Sequence, residues 1–218
     1  MVGPAPADVR TVVFDIDGTL LDSAAGILAG FQRALRAGGV SVPEESALRV
    51  HLGPPLRDVL VLAGVAPDRL DDAAQAYHDF YLAEGLQRAA PYPGIEALLT
   101  RLVESRVTLA TASAKRTTTA QAIVAAHGLA PHFTVIGGTD ETRLTKSQTI
   151  AGVLTELAAD PATTIMIGDR HHDIDGAHAV DIRAVGALWG YGVAGELARA
   201  GADWLAEDVA ACGRLLGV

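Results

Sequence analysis

Short apolar segments alternate with longer amphipathic segments over most of the chain. Several of the short segments are apolar throughout, as expected for strands covered on both faces. The predicted strands are residues 11–16, 107–112, 133–137, 163–168 and 182–187, and the predicted helices are 95–104, 116–127, 146–158 and 174–180. This alternation predicts an α/β fold, a Rossmann-like, doubly wound parallel sheet. Such sheets bind their ligands beyond the carboxyl ends of the strands.

Residues 23–90 break the alternation because they contain no strand pattern. Helical segments are separated there by turn signals at Gly38-Gly39, at 52–55, and at Gly64 with Pro67. We therefore predict a helical insertion between the first and second strands. The expected division is an α/β core formed by residues 1–21 and 91–218, with an inserted helical domain at 22–90.

Composition excludes some classes of function. A net charge of −9 over 218 residues argues against sequence-independent binding of nucleic acid. The negative net charge does not exclude binding of a small phosphate, because a bound metal reverses the sign of the local electrostatic field. The single cysteine, Cys212, excludes an intrachain disulfide and fits a reducing compartment. With no signal-peptide pattern and no membrane-length apolar run, a cytoplasmic protein that does not bind membranes is expected. Monomer and homodimer both remain open.

Two carboxylates follow the first predicted strand, in Asp15-Ile16-Asp17-Gly18-Thr19. Residues spaced by two point to the same side of extended backbone, and like charges held that close need a cation or a proton. One carboxylate is suited to attack phosphorus, and the other to transfer the proton of the leaving oxygen. The pair alone fits equally well an Asp-rich turn without chemistry.

The segment from Asp15 to Leu20 resembles the first motif of the haloacid dehalogenase superfamily. The resemblance implies that Asp15 is the nucleophile and a Mg²⁺ ligand. It implies that Asp17 is the acid and base, with its backbone carbonyl on Mg²⁺. Gly18 and Thr19 are then expected beside the phosphoryl group.

A second acidic segment, 167–173, also follows a predicted strand and resembles the fourth motif of the superfamily. Two carboxylates four residues apart at a strand end can share a hard cation such as Mg²⁺, which prefers oxygen ligands. The resemblance assigns Asp169 to the metal, and Asp173 to the metal or to the support of its ligands.

The middle of the chain offers two hydroxyls for the phosphoryl oxygens, Thr111 and Ser113. Counting back from Gly128-Leu129, together with the match of Lys115, favours Ser113 and the amide of Ala114. A helix beginning just after Ser113 would present further amides to the anion. Lys146 resembles the lysine of the third motif, although most lysines lie on solvated helix faces.

The four motifs occur in the order of the superfamily, and the segments 92–94 and 189–192 match its phosphoglycolate-phosphatase-like branch. The resemblance implies a Mg²⁺-dependent phosphatase that acts on a small phosphomonoester through an aspartyl-phosphate. Phosphoglycolate-like compounds, sugar phosphates and nucleotides are all open as substrates. The insertion would then be a cap, with His51, Arg57 and Lys115 as candidate substrate contacts. Segment 189–192 is interpreted as a structural turn.

Two alternatives remain. A phosphosugar mutase of the β-phosphoglucomutase type would pass the phosphoryl group to a sugar hydroxyl, but such proteins usually carry Val where this chain has Thr19. A non-catalytic ligand-binding homologue would be expected to have lost one of the acidic residues, and none is missing.

Overall fold

The structure is a computed structural model that describes residues 8–218. The chain forms two compact units, one comprising the residues up to Leu21 together with Pro91–Val218, and the other Asp22–Ala90. The strands, in chain order, are β1 (Thr11–Phe14), β2 (Leu21–Asp22), β3 (Ala90–Pro91), β4 (Thr108–Arg116), β5 (Val135–Thr139), β6 (Thr164–Gly168), β7 (Arg183–Ala187) and β8 (Trp204–Ala206). The helices are α1 (Ala24–Ala37), α2 (Glu45–Arg49), α3 (Leu56–Leu62), α4 (Leu70–Phe80), α5 (Ile95–Glu104), α6 (Thr117–Ala126), α7 (Lys146–Leu157), α8 (His171–His178), α9 (Glu196–Arg199) and α10 (Val209–Leu216).

The first unit is built on a six-stranded sheet with the order β5-β4-β1-β6-β7-β8. Every neighbouring pair in it is parallel. Helices connect the strands, so the predicted α/β class with a parallel sheet is confirmed. After β1, the chain forms β4 and β5 on one side of it and then β6, β7 and β8 on the other. This reversal puts a topological switch point at the carboxyl end of β1. Phe14, the last residue of β1, pairs with Thr111 in β4 and with Ile167 in β6.

The central strands are buried on both faces. All residues of β1 and of β6 are buried, which is why these segments are apolar throughout rather than alternating. On one face, Val13, Ala110 and Met166 pack with Ile150 and Val153 of α7. Burying a side chain such as Val13, Met166 or Ile150 contributes about 1.5–3 kcal/mol relative to exposure. The strand ends that carry polar residues are thus held on a rigid base.

The predicted strands and helices are present, but some of their bounds differ. Strand β4 continues to Arg116 rather than ending at residue 112, after an irregularity in its pairing with β5. Helix α6 therefore begins at Thr117, one residue after its predicted start and not directly after Ser113. Helix α8 begins at His171 rather than at residue 174. Strand β8 was not predicted.

The second unit is helical, with α1 and α4 in close contact. At Gly30 a Cβ atom would lie 2.6 Å from the ring of Tyr77. The rings of Tyr77 and Tyr81 stack at 5.5 Å, and Phe31 lies 5.8 Å from Tyr77. Tyr81 begins a single π-helical turn, Tyr81–Gly85. Within the described part of the chain, no helix combines the length and apolarity that a membrane crossing requires.

Candidate active site

Polar side chains from several elements converge at the carboxyl ends of β1, β4 and β6. Asp15 follows β1 directly, and its N–H donates to the carbonyl of Ile167 in β6 at 2.9 Å. Asp169 follows β6, and Asp173 lies in the first turn of α8. Lys146 is the first residue of α7. The sheet therefore brings together four candidate residues that are far apart in sequence.

Three carboxylates form an acidic cluster there. Asp15, Asp169 and Asp173 are all buried, and each offers one oxygen atom within 4.8 Å of the oxygens of the other two. The ammonium group of Lys146 enters this cluster, with Nζ 2.8 Å from Oδ1 of Asp15 and 2.7 Å from Oδ1 of Asp173. Nζ also donates to the carbonyl of Ala112 at 2.9 Å.

The cluster is electrostatically crowded. Burial raises the pKa of Asp15 to about 7; Lys146 opposes the increase, while Asp173 and Asp17 add to it. Burial likewise raises the pKa of Asp169 well above its usual range, with further contributions from Asp173 and Asp15. Burial alone would lower the pKa of Lys146, but Asp15 and Asp173 raise it far above normal. The lysine is therefore held as a cation, whereas the carboxylates repel one another.

These residues fit a divalent cation. One ammonium group faces three carboxylates, so full ionisation of the cluster leaves a negative excess in a buried site. Oxygen donors of this kind are the ligands that Mg²⁺ prefers. A divalent cation held by these carboxylates would offset the excess charge and favour their ionised forms. The predicted contribution of the Asp17 carbonyl to the metal stays a prediction.

Gly18 and Thr19 lie against Asp169, which is 150 residues away from Thr19 in sequence. Gly18 has a φ of 80°, and a Cβ atom on it would lie 2.2 Å from Oδ2 of Asp169. Glycine is required there both by the left-handed backbone and by this close approach. The hydroxyl of Thr19 donates to Oδ1 of Asp169 at 3.2 Å. A role of either residue toward a phosphoryl group stays a prediction.

The second carboxylate of the first motif pairs with Lys115. Nζ of Lys115 lies 2.9 Å from Oδ2 of Asp17, and both side chains are nearly buried. Ser113 is buried, and its Oγ accepts from the amide of Lys115 at 3.2 Å. Ala114, between them, accepts at its carbonyl from Thr139 at 3.4 Å.

The alternative hydroxyl, Thr111, is engaged elsewhere. Its Oγ1 donates to the carbonyl of Gly137 in the neighbouring strand at 3.2 Å. Ser113, in contrast, follows Ala112, the residue whose carbonyl accepts from Lys146. This placement favours Ser113 over Thr111 as the hydroxyl available to a ligand.

The candidate substrate residues His51 and Arg57 belong to the second unit. His51 is half-buried in the turn between α2 and α3. Arg57 forms an exposed ion pair with Asp71 in α4, at 2.6 Å. Their assignment as substrate contacts stays a prediction.

Residues 189–192, which the sequence pattern predicts to be a structural turn, contact the site. The amide of Tyr191 donates to Oδ2 of Asp169 at 2.7 Å. The indole of Trp189 donates to the carbonyl of Thr19 at 3.0 Å. A Cβ atom on Gly190 would lie 2.3 Å from Cβ of Asp169. The available signal was the glycine between two aromatic residues just after a predicted strand.

Comparison with known proteins agrees with this architecture. Residues 12–187 match the family of haloacid dehalogenase-like hydrolases. Tyrosine-protein kinase PtkA of Mycobacterium tuberculosis is 40% identical over 185 residues, which are 84% of this chain but only 63% of PtkA. The chain thus spans less than two thirds of that relative's length. Probable phosphatase IndB of Dickeya dadantii is 33% identical over 82% of this chain and 81% of IndB.

Among solved structures, that of a predicted phosphatase from Clostridium acetobutylicum superposes with a TM-score of 0.90. The two proteins are 31% identical, and the match covers 96% of this chain and 99% of the other. The family match extends from β1 to the end of β7 and so includes the whole acidic cluster. The chain belongs to the haloacid dehalogenase-like hydrolase family.

Proposed function

We propose that this protein is a Mg²⁺-dependent phosphatase that hydrolyses a small phosphomonoester through an aspartyl-phosphate on Asp15. One observation carries the proposal. Three buried carboxylates cluster at the carboxyl ends of the central strands, and Lys146 forms ion pairs with two of them, Asp15 and Asp173. The phosphatase names of IndB and of the protein from C. acetobutylicum support the same reaction.

In the first step, an oxygen atom of the Asp15 carboxylate attacks phosphorus. The bond between phosphorus and the ester oxygen breaks, and the protonated carboxyl of Asp17 gives its proton to the leaving alkoxide. Before the ester binds, Asp17 is ionised and paired with Lys115 at 2.9 Å, and it takes up the proton it later gives when the ester displaces Lys115. Lys115 would then turn to the substrate.

In the second step, water replaces the alcohol. Asp17 takes a proton from water, whose oxygen attacks phosphorus, and the bond from phosphorus to Asp15 breaks. Inorganic phosphate leaves, and Asp17 is again protonated, so the protons balance over the cycle. Because Asp17 gives and then takes the same proton, its carboxyl has to remain within reach of both oxygens.

Charge on the transferring phosphoryl group is stabilised by fixed groups. Lys146 already lies 2.8 Å from Asp15, so its ammonium group can stabilise a phosphoryl oxygen once one of its three donors turns from its present acceptor, Asp15, Asp173 or the carbonyl of Ala112. The hydroxyl of Ser113 and the amide of Ala114 are proposed as donors to another oxygen. Mg²⁺, held by Asp15, Asp169 and Asp173, would supply further positive charge. The helical unit is proposed to be the cap that selects the alcohol of the substrate.

A second candidate function follows from the identity of 40% with PtkA, a protein named as a tyrosine kinase. Here the phosphoryl group would pass from a nucleotide to a tyrosine hydroxyl rather than from an ester to water. The nucleophile and the cation site would be the same, and only the acceptor would differ. A sugar hydroxyl as acceptor would correspond to the mutase alternative.

The test is release of inorganic phosphate from a panel of phosphorylated compounds. The panel contains phosphoglycolate, hexose phosphates, nucleoside monophosphates and phosphotyrosine, each with Mg²⁺ and with EDTA, for the wild type and for Asp15→Asn. The matched control is Asp160→Asn, at an exposed residue whose side-chain oxygen accepts from the amide of Ala162, an acceptor that Asn retains. We expect release that requires both Mg²⁺ and Asp15 and that survives in the control.

Phosphate release retained by Asp15→Asn would refute the assignment of Asp15 as the nucleophile. Unchanged release in EDTA would refute the requirement for Mg²⁺. If no compound yields phosphate, the reactions are repeated with radiolabelled ATP and a tyrosine peptide, and with hexose phosphates analysed for isomers. Label on the peptide would establish the kinase reaction, and an isomer would establish the mutase.

A further inference from the structure

Glu196, the first residue of α9, is a buried carboxylate that the proposed reaction does not use. Its Oε1 accepts from Nε of Arg170 at 2.9 Å and from the amide of His171 at 2.9 Å. Nδ1 of His171 lies 2.8 Å from the same oxygen. Its Oε2 accepts from the amide of Val193 at 3.0 Å. A buried carboxylate with this many donors is firmly oriented.

The residues that Glu196 contacts lie between two candidate metal ligands. Arg170 and His171 join Asp169, at the end of β6, to Asp173, in the first turn of α8. The amide of Arg170 donates to Oδ2 of Asp173 at 3.1 Å. The distance and relative orientation of the two carboxylates therefore depend on the three-residue connection 170–172, whose first two residues Glu196 contacts.

The carboxylate of Glu196 also holds the segment that contacts Asp169 from the other side. Tyr191, whose amide donates to Oδ2 of Asp169 at 2.7 Å, lies two residues before Val193. A Cβ atom on Gly192, between them, would lie 2.4 Å from the carbonyl oxygen of Asp169. By accepting from Val193 as well as from Arg170 and His171, Glu196 joins both loops around Asp169.

We infer that Glu196 is a positioning residue for the acidic cluster, holding Asp169 and Asp173 in the arrangement that binds one divalent cation. This inference rests on the proposed function, since it takes the cluster to be the Mg²⁺ site. Groups that orient metal ligands from behind typically account for about 10–100-fold in affinity or activity.

The electrostatics of Glu196 agree with this role. Burial raises its pKa, but donors from His171 and Arg170, with the amide of Val193, lower it to about 2. The side chain is therefore ionised at neutral pH, and its charge is matched by Arg170. Glu196 therefore contributes oriented hydrogen bonds to the loop rather than an unpaired negative charge.

The test compares Glu196→Ala and Glu196→Gln with the exposed control Glu207→Gln. Dissociation constants for Mg²⁺ are measured by calorimetry, and for Mn²⁺ from the electron paramagnetic resonance signal of the free ion. Glu196→Ala should weaken both by about tenfold or more. Glu196→Gln should weaken them less, because its amide oxygen can still accept from Arg170 and His171, while its NH₂ group faces the amide of Val193. The control should match the wild type.

Measurements on the metal-free proteins distinguish the positioning role of Glu196 from a purely structural one. Circular dichroism and Tm in EDTA report folding, and a variant that loses Tm but keeps wild-type Mg²⁺ and Mn²⁺ dissociation constants overturns the inference. If Glu196→Ala does not fold, Glu196→Gln carries the same test. A wild type that binds Mg²⁺ but releases no phosphate would refute the phosphatase and leave this inference standing. A wild type that binds neither cation would overturn it together with the metal site.

Discussion

At the scale of single residues, the charge of the site depends on Lys146. It is the cation within 4 Å of two of the three clustered carboxylates, at 2.8 Å from Asp15 and 2.7 Å from Asp173. Without it, buried carboxylates would face one another, and each would have to be protonated or find a cation. Lys146 and the metal can therefore partly replace each other in stabilising the folded state against repulsion between the carboxylates, but they cannot replace each other in catalysis.

Lys146→Met keeps an unbranched apolar side chain but removes the ammonium group. Phosphate release should fall by about 10²–10³-fold, as when one fixed donor to a transition-state oxygen is lost. The free energy of unfolding in EDTA should fall by on the order of 3 kcal/mol, because the carboxylates lose their partner. Mg²⁺ should then raise Tm more in the variant than in the wild type.

The exposed variant Arg214→Met removes a positive charge elsewhere and is the control. Phosphate release with Mg²⁺, urea unfolding in EDTA, and thermal unfolding with and without Mg²⁺ measure the three effects. Equal Mg²⁺ shifts in the variant and the wild type would contradict the account of Lys146 as the partner of the cluster.

Glu196 gives a prediction for pH. Its folded pKa of about 2 lies below its ordinary value of 4.5, so its ionised form stabilises the folded state. That contribution is complete above the unfolded pKa and is lost as the pH falls through the window from 4.5 to 2. Arg170 and His171 are the charged or titratable groups that face it. In EDTA, the difference in unfolding free energy between wild type and Glu196→Gln should be larger at pH 6 than at pH 3. A difference that is the same at both pH values would contradict the assignment of the ion pair.

At the scale of elements, the sequence pattern predicted most of the sheet but not all of it. Strands such as β1 and β6 could be predicted because burial on both faces makes them apolar throughout. Strand β8 was missed because it has three residues, with Leu205 exposed between buried neighbours. Such a segment carries too little pattern to separate it from a loop. The end of β4 was misplaced because the strand continues past residue 112 to Arg116, which depends on its pairing with β5 rather than on local sequence.

The start of α7 shows how a local motif serves the site. The hydroxyl of Thr145 accepts from the amide of Gln148 at 3.2 Å, and Oε1 of Gln148 accepts from the amide of Thr145 at 3.1 Å. This reciprocal capping box fixes the first helical turn, and Lys146 is its first residue. The orientation of the ammonium group toward Asp15 thus depends on a cap that lies outside the acidic cluster.

Thr145→Ala should therefore lower both stability and activity. Loss of the cap should cost about 1 kcal/mol in unfolding free energy, as for other N-caps. Phosphate release should fall several-fold because Lys146 is less well held, while Thr145→Ser should retain most of both. Thr155→Ala removes a threonine in the same helix whose hydroxyl bonds only along the helix, to Ala151, and serves as the control. A loss of stability in Thr145→Ala without any loss of activity would show that the cap does not position the lysine.

At the scale of the whole molecule, the site is assembled from contacts that no local pattern records. The motif residues could be predicted one by one, because their segments resemble the four motifs of the superfamily and the acidic segments follow apolar strands. The pairing of Asp17 with Lys115, and of Asp169 with the amide of Tyr191, spans 98 and 22 residues of sequence. Backbone donors such as Tyr191 leave no side-chain signature, and this is why the segment 189–192 was interpreted as a turn alone.

All members of the acidic cluster belong to the unit built on the parallel sheet, and this predicts where Mg²⁺ stabilises the chain. At 100 times its dissociation constant, a ligand that binds only the folded state adds about 2.7 kcal/mol to its stability. Hydrogen exchange with Mg²⁺ and with EDTA should show increased protection in peptides from Phe14–Leu20 and Gly168–Asp173. Peptides from α1 and α4, in the helical unit, should exchange at nearly the same rate in both conditions.

Asp169→Asn should abolish the difference, and Asp160→Asn should preserve it. Protection that rises equally in both units would show instead that Mg²⁺ binding stabilises the chain as one cooperative whole, and the metal would then have to be assigned a role in ordering the helical unit as well.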